Sequence, residues 1–375
     1  MRPGRQMPSR PPRTVAAALA AATLLAAGCS TPSYYLQAIG GQLELWREAR
    51  PVEEVASGAG STPELRGKLA RAQAIRDYAS RELGLPANGS YRKYADLGRP
   101  YVVWNVFAAP RLSIEPKQWC FPVAGCVSYR GYFALADAEA LAAELRAQGY
   151  DVHVGGVPAY STLGWFDDPL LNTFIHYPEP ELARLIFHEL AHQVAYAGDD
   201  TEFNESFATV VELEGVERWL AAVGSAEQRA QFREAQARRQ DFLALVTGTR
   251  ARLEALYGSE ILPREMEREK ARILAGLGED YRRLKAEKWN GYAGYDRWFG
   301  QEINNATLAS IGLYTALVPA FRALLAQEGG ELARFYARVE ELAAMPKPAR
   351  DERLAALAAR GRPGDVADAS ADGAR

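Results

Sequence analysis

The stretch HELAHQVAYAGDDTEFNESFA, residues 188–208, contains two of the four histidines in the chain. His188 and His192 are four residues apart, so on a helix their rings project from one face and can bind a single metal ion. Glu189 lies near the same edge and has the chemistry of a general base and acid, able to move a proton from water to a leaving group. The pattern predicts a zinc-binding helix.

A catalytic zinc site needs a third protein ligand and an open coordination position. We expect the first helix to run about six residues beyond His192 and to end at Gly198, where the sequence DDT reverses the chain. A second helix that begins near Thr201 would then bring Glu205 level with His192. The predicted ligands are therefore His188, His192 and Glu205. Two rival carboxylates lie in the turn, Asp199 and Glu202.

Glu212 lies two turns after Glu205 on the same face of the second helix, where it could orient a ligand or contact substrate. Two other interpretations of the histidine pair stay open. The rings could be hydrogen-bonded helix histidines without a metal, or they could belong to a structural zinc site. A structural site normally has four protein ligands and favours cysteine, and no cysteine lies near this stretch.

The pair HELAH and NESFA resembles the gluzincin pattern of thermolysin-like peptidases and zinc aminopeptidases. The resemblance implies that Glu205 is the third ligand. Two features depart from that pattern: only twelve residues separate His192 from Glu205, and Thr209 stands where those enzymes carry an aspartate that orients a ligand.

Further motifs resemble a family of bacterial zinc aminopeptidase lipoproteins. These motifs are WCFPVAGCVSYRGYF, YSTLGWFDDPLL, HELAHQ, NESFA and NNATLASIGLY, and the resemblance covers residues 29–345. It implies a zinc hydrolase that acts on peptides.

The helix and strand patterns predict an α+β fold that is mainly α. The resemblance implies that it has a zincin-like metallopeptidase core. We expect a small β-sheet, the HELAH helix, the Glu205 helix and a long helical hairpin over residues 224–290, all within a single domain, 29–345. Residues 346–375 are expected to form a polar, largely flexible tail. The apolar seam of the hairpin is predicted to contain Phe242, Leu245, Leu253, Leu256, Ile273, Leu277, Tyr281 and Leu284.

The first 28 residues have the basic and then apolar composition of an export signal. Their end, LLAAGC, resembles a bacterial lipobox, which implies a lipid anchor on Cys29 and an outer-membrane position facing the periplasm; an ordinary cleaved signal is the alternative. The formal net charge is −3, so nucleic acid is not an expected partner. In an oxidising periplasm Cys120 and Cys126 could form a disulfide, or could remain two buried thiols.

The substrate side of the site is less specific in the sequence. Residues 160–165 are a candidate rim for substrate, with a structural loop that packs Trp165 and Phe166 as the alternative. Asp167 or Asp168 could hold a substrate amine, but no role is assigned to either. Tyr314 is the predicted donor to the oxyanion, against the alternative of a core tyrosine. The other two histidines, His153 and His176, are not predicted ligands.

The sequence thus predicts a zinc metallopeptidase, with an aminopeptidase as its expected type, that acts through Glu189 on a peptide or protein substrate. The alternative is a non-enzymatic envelope lipoprotein in which the zinc site is a relic and the helical hairpin binds a partner. The presence of Glu189 favours the enzyme, because a purely structural site has no use for that carboxylate.

Overall fold

The computed structural model describes residues 30–121, 125–198, 200–312 and 316–360. It is 61% helix and 10% strand, which confirms the predicted α+β, mainly α class. The chain divides into two compact units, 1–47 and 48–375. Within the described residues, no helix combines the length and the apolar character needed to cross a bilayer.

Thirteen helices occur in the described residues. In chain order they are α1 (Ser30–Glu48), α2 (Val52–Ser57), α3 (Pro63–Arg81), α4 (Leu135–Ala147), α5 (Glu179–Ala191), α6 (Thr201–Val223), α7 (Ala226–Tyr257), α8 (Pro263–Glu287), α9 (Asp296–Phe299), α10 (Asn305–Gly312), α11 (Val318–Gln327), α12 (Leu332–Ala343) and α13 (Lys347–Arg360).

In the part of the chain that the structure describes, eight short strands form three small sheets. They are β1 (Arg50–Pro51), β2 (Lys93–Ala95), β3 (Val103–Pro110), β4 (Trp119–Phe121), β5 (Gly125–Val127), β6 (Arg130–Tyr132), β7 (Tyr150–Val157) and β8 (Leu170–Leu171). The main sheet has the order β6-β3-β7 and is antiparallel. A second sheet has the order β1-β2-β8, in which β2 and β8 are parallel. The third is the β4-β5 pair.

The central strand β3 is buried along almost its whole length. Helices α4 and α10 both pack against it, so neither face of this strand is left to solvent. This explains why its sequence is apolar on both faces apart from Asn105, rather than alternating. In the β4-β5 pair, Cys120 lies opposite Cys126, and the two form a disulfide.

Helices α5 and α6 form the most closely packed pair in the fold. Phe187 on α5 is fully buried, and Gly215 on α6 lies against its ring. A Cβ atom at residue 215 would lie 2.7 Å from Phe187 Cδ2 and 2.9 Å from Leu83 Cδ1. Only glycine therefore lets the two helices approach this closely.

The predicted hairpin consists of α7 and α8, which pack against each other. Ser225 begins α7 with a capping box that is completed by Gln228. All eight predicted seam residues belong to one apolar cluster, four of them buried and four partly buried. The buried members are Phe242, Leu253, Leu277 and Tyr281.

The C-terminal region differs from the predicted tail, because residues 347–360 form α13. Leu354 and Leu357 are buried on this helix, which packs against α11. Arg350 is also buried and its Nε lies 3.0 Å from Asp200 Oδ2. Composition alone could not predict the apolar face or the buried ion pair of this helix, because the stretch is rich in charged residues. Residues 361–375 lie outside the described part of the chain.

Candidate metal centre

Helix α5 carries the HELAH motif at its C-terminal end. Two prolines begin it, with Pro178 at the N-cap and Pro180 in the first turn. The helix ends at Ala191, with His192 as the cap residue, and does not continue to Gly198 as predicted. The backbone instead forms tight turns, in which Gln193 N donates to Leu190 O at 3.1 Å.

The reason for the early end lies in the connection to α6. The side chain of Asn204 donates to Ala197 O and accepts from Ala197 N, both at 2.8 Å. This pair of hydrogen bonds holds residues 195–198 against α6 in an extended path. Sequence periodicity could not show this contact, because it comes from one amide side chain on the following helix. The asparagine of NESFA therefore has a structural role.

Helix α6 begins at Thr201, as predicted. Its N-cap is Asp200, whose Oδ1 accepts from Phe203 N at 3.1 Å. The other carboxylate oxygen of Asp200 binds Lys347 and Arg350 on α13, both at 3.0 Å. The start of the Glu205 helix is thus fixed by both its own cap and the C-terminal helix.

The three predicted ligands converge. His188 Nε2 lies 3.2 Å from both His192 Nε2 and Glu205 Oε2, and His192 Nε2 lies 3.8 Å from the same oxygen. All three residues are buried or nearly so. Among the described residues they form the one group of histidine, cysteine or acidic side chains that could hold a metal ion.

These distances fit a divalent ion. Zinc bonds of about 2.0–2.1 Å in a tetrahedral arrangement place neighbouring ligand atoms about 3.3 Å apart. Two of the three separations are 3.2 Å, and the third exceeds the tetrahedral value by about half an ångström, which a small rotation of Glu205 would remove. Two imidazoles and one carboxylate are also a donor set that suits zinc and that leaves a position open.

Glu212 orients His188 from behind. Its Oε2 lies 2.9 Å from His188 Nδ1, and its Oε1 accepts from Arg184 Nη1 at 2.9 Å. Arg239, on α7, adds a longer ion pair to Glu212 at 3.7 Å. Of the two roles that the sequence left open for Glu212, the geometry shows the orienting contact. A carboxylate on Nδ1 leaves Nε2 as the metal-facing nitrogen.

The second histidine has no such support among the described residues. His192 Nδ1 is buried without a hydrogen-bond partner, and so is the hydroxyl of Thr209. Thr209 is the residue that stands in place of the gluzincin aspartate. The chain therefore orients one imidazole with a carboxylate, and that carboxylate comes from Glu212, three residues further along α6.

The pKa values of the two imidazoles are shifted in opposite directions. Against the effect of burial, hydrogen bonds to Glu205 and Glu212 raise the pKa of His188 to about 10. Burial lowers the pKa of His192 to about 4. Although burial opposes it, Arg184 and His188 lower the pKa of Glu212 to about 2. The carboxylates that stabilise a proton on His188 would stabilise a divalent cation at Nε2 in the same way.

Glu189 is the acidic residue between the two histidines of HELAH. It is 9% exposed, and among the described residues it has neither a hydrogen bond nor an ion pair. Burial raises the pKa of Glu189 to about 8, against the lowering effect of His188. A carboxylate with a pKa near neutral is matched to moving protons at physiological pH.

The predicted rim, residues 160–165, is held by a hydrogen bond to Asp168. This carboxylate is buried, its Oδ2 accepts from Thr162 N at 3.0 Å, and burial raises its pKa to about 6. Trp165 is 76% exposed and Phe166 is half-exposed, so the loop does not bury both rings as the structural alternative would require. Asp168 is buried, so a substrate amine cannot reach its carboxylate in this structure.

The remaining predicted residues lie elsewhere. Glu202 is in the first turn of α6 and is not part of the converging group. His153 stacks on Phe107 in the main sheet, and His176 is exposed. Tyr314 and Asp199 lie outside the described residues, as does Cys29.

Sequence reasoning missed two residues behind the site. Arg184 is one turn before His188 on the same face, a spacing that could have revealed it. Tyr91 had no signal: it is fully buried, has a φ of 64°, and its hydroxyl has no partner among the described residues. Burial, with Glu189 and Asp168, raises the pKa of Tyr91, which places its hydroxyl in the field of the centre.

The chain also matches the model of a known protein family. A family model described as "Putative aminopeptidase" covers residues 33–354. The match spans most of the chain, so the chain belongs to that family. No curated protein and no solved structure matches the chain.

Proposed function

We propose that this aminopeptidase-family chain is a zinc-dependent peptidase that removes residues from the amino end of peptides. His188, His192 and Glu205 would hold the ion. When bound, zinc supplies a Lewis acid that polarises the peptide carbonyl and makes water more acidic. The chain's own residues supply positioning and proton transfer.

Glu189 carries the proton in this proposal. Its carboxylate takes a proton from the attacking water and passes it to the amine that leaves. Proton transfer from water to Glu189 is favoured because burial has raised the pKa of Glu189 to about 8. Glu212 holds the His188 ring in one tautomer throughout, so that Nε2 faces the ion.

The observation that carries the proposal is the state of Glu189. Glu189 is only 9% exposed, and its carboxylate has no hydrogen bond or ion pair among the described residues, so a protein that only needed a folded helix pair would gain by replacing it. Its presence favours a catalytic site over a relic or structural one. Three converging ligands rather than four support the same conclusion.

The test combines metal analysis with peptide hydrolysis. Purified chain should contain about one zinc ion, cleave peptides with a free amino terminus, and leave amino-blocked peptides intact. Glu189→Gln should keep its zinc and lose about a hundredfold or more in kcat. Glu217→Gln, on an exposed position of α6, is the matched control and should keep full activity. Wild type with bound zinc and no more activity than Glu189→Gln would refute the enzyme proposal.

We also infer a lipid anchor on Cys29 and an outer-membrane position facing the periplasm. The support is the sequence of the amino terminus alone. Mass spectrometry of the mature amino-terminal peptide from an envelope fraction should show a diacylated or triacylated cysteine. Cys29→Ser should then move the chain to the soluble fraction, whereas an unmodified mature peptide would refute the anchor.

A further inference from the structure

A pocket of about 240 Å³ lies between the metal-binding helix α5 and the hairpin helix α7. Its wall combines three arginines with two tyrosines and one carboxylate. These residues are Arg184, Arg238, Arg239, Tyr292, Tyr295 and Glu181. The sequence analysis assigned no role to any of them, and the proposed peptidase chemistry does not use the pocket.

The three guanidinium groups differ in how many hydrogen bonds and ion pairs they make. Arg184 donates to Glu181 at 2.8 Å and to Glu212 at 2.9 Å. Arg238 pairs with Glu234 and lies 4.2 Å above the ring of Tyr292. Arg239 makes no hydrogen bond to any described residue, and its one ion pair, to Glu212, is 3.7 Å long.

Arg239 is therefore unusual. Its side chain is 27% exposed and lines the pocket, and its five N–H donors have no hydrogen-bond acceptor within the described protein. The guanidinium is therefore available to a ligand that enters the pocket. A planar fork of donors suits a carboxylate, sulfate or phosphate group, which it can bind with two hydrogen bonds.

The pocket is also connected to the metal centre. Arg184 and Arg239 both face Glu212, and Glu212 binds His188 Nδ1 at 2.9 Å. One carboxylate thus separates the pocket from a predicted metal ligand. An anion in the pocket would compete with Glu212 for the two arginines, which leaves more negative charge on the carboxylate that orients His188.

The geometry points to an oxyanion-binding site in this pocket, centred on Arg239, whose occupancy strengthens metal binding through Glu212. The coupling rests on the proposed metal centre, whereas the anion site does not. By linkage, the metal should strengthen anion binding by the same factor. The oxyanion could be a free ion or the terminal carboxylate of a peptide.

The first experiment measures anion binding to the metal-free chain by titration calorimetry, with sulfate as the probe at constant ionic strength. Wild type and Arg233→Gln, an exposed arginine on the same helix, should bind one sulfate. Arg239→Gln should lose binding, and Arg239→Lys should weaken it, because lysine keeps the charge but loses the fork. Absence of sulfate binding by wild type, or unchanged binding by Arg239→Gln, would overturn the site.

Two further arms identify the source and test the coupling. A short peptide with a free terminal carboxylate is compared with its amide; binding of the acid alone identifies a peptide terminus, and equal weak binding of both leaves the free ion. Sulfate should lower the zinc dissociation constant about fivefold or more in wild type and not in Arg239→Gln. An unchanged constant in wild type would overturn the coupling. If the chain binds no zinc, the proposed function fails while the calorimetry still decides the pocket.

Discussion

The Glu212→Gln variant tests whether one buried carboxylate sets the metal affinity of the centre. Glu212 is 2% exposed and lies 2.9 Å from both His188 Nδ1 and Arg184 Nη1. Glutamine keeps the shape, but it is neutral and offers one acceptor oxygen to two donors. Either His188 or Arg184 therefore loses its partner. Loss of such an orienting group costs about 10–100-fold in metal affinity, which is about 1.4–2.8 kcal/mol.

The assay is competition for zinc between the protein and a chromophoric chelator at neutral pH. Circular dichroism of the metal-free proteins checks that Glu212→Gln is folded. Glu217→Gln is the matched control, because it removes the same charge from an exposed position on the same helix. If Glu212→Gln and Glu217→Gln bind zinc as tightly as wild type, the orienting role of Glu212 is refuted.

Four other substitutions test packing and buried charge in the fold. Gly215→Ala should lose about 1–3 kcal/mol of unfolding free energy, because the added methyl overlaps the ring on α5. Gly276→Ala has open space on α8 and should instead gain about 0.5–1 kcal/mol in the same denaturant titration. Arg350→Met should lose about 3 kcal/mol because it removes one of the two cations that pair with buried Asp200 and leaves only Lys347; unchanged stability would contradict this. Asp168 has its pKa raised to about 6 by burial, so its contribution to stability is greatest below pH 3.8 and falls as pH rises through 6. Asp168→Asn should therefore gain stability relative to wild type between pH 5 and 8, by up to about 3 kcal/mol, and a pH-independent difference would refute this.

The convergence of the three candidate ligands could be predicted because helical periodicity is local. His188 and His192 share a face by spacing alone, and Glu205 needed only the assumption of a returning helix. The prediction that the first helix reaches Gly198 was wrong, but this error does not change which three residues converge. The returning helix is fixed by its own cap at Asp200, whatever path the connection takes.

What could not be predicted depends on contacts between distant parts of the chain. The early end of α5 follows from the side chain of Asn204, and the order of residues 347–360 follows from the ion pair between Arg350 and Asp200. Tyr91 adopts a backbone conformation that tyrosine seldom takes, so its place beside Glu189 had no sequence signal. Each of these depends on tertiary context, which periodicity and composition do not contain.

Because Glu212 is buried, the centre needs cations that lie outside the HELAH and NESFA motifs. A carboxylate removed from water requires cations close by, and here Arg184 supplies the largest compensation and keeps the pKa of Glu212 at about 2. A carboxyl group with a depressed pKa contributes stability that is present above its unfolded pKa of about 4.5 and is lost as pH falls through 2. In Arg184→Gln, burial would raise the pKa of Glu212. Glu212 would then contribute little or no stability at neutral pH, so metal-free Arg184→Gln should be less stable than wild type there, and its unfolding free energy should fall less steeply than that of wild type as pH decreases from about 6 to about 3. Parallel profiles for the two proteins would mean that His188 alone compensates Glu212, and that the guanidinium behind it is dispensable.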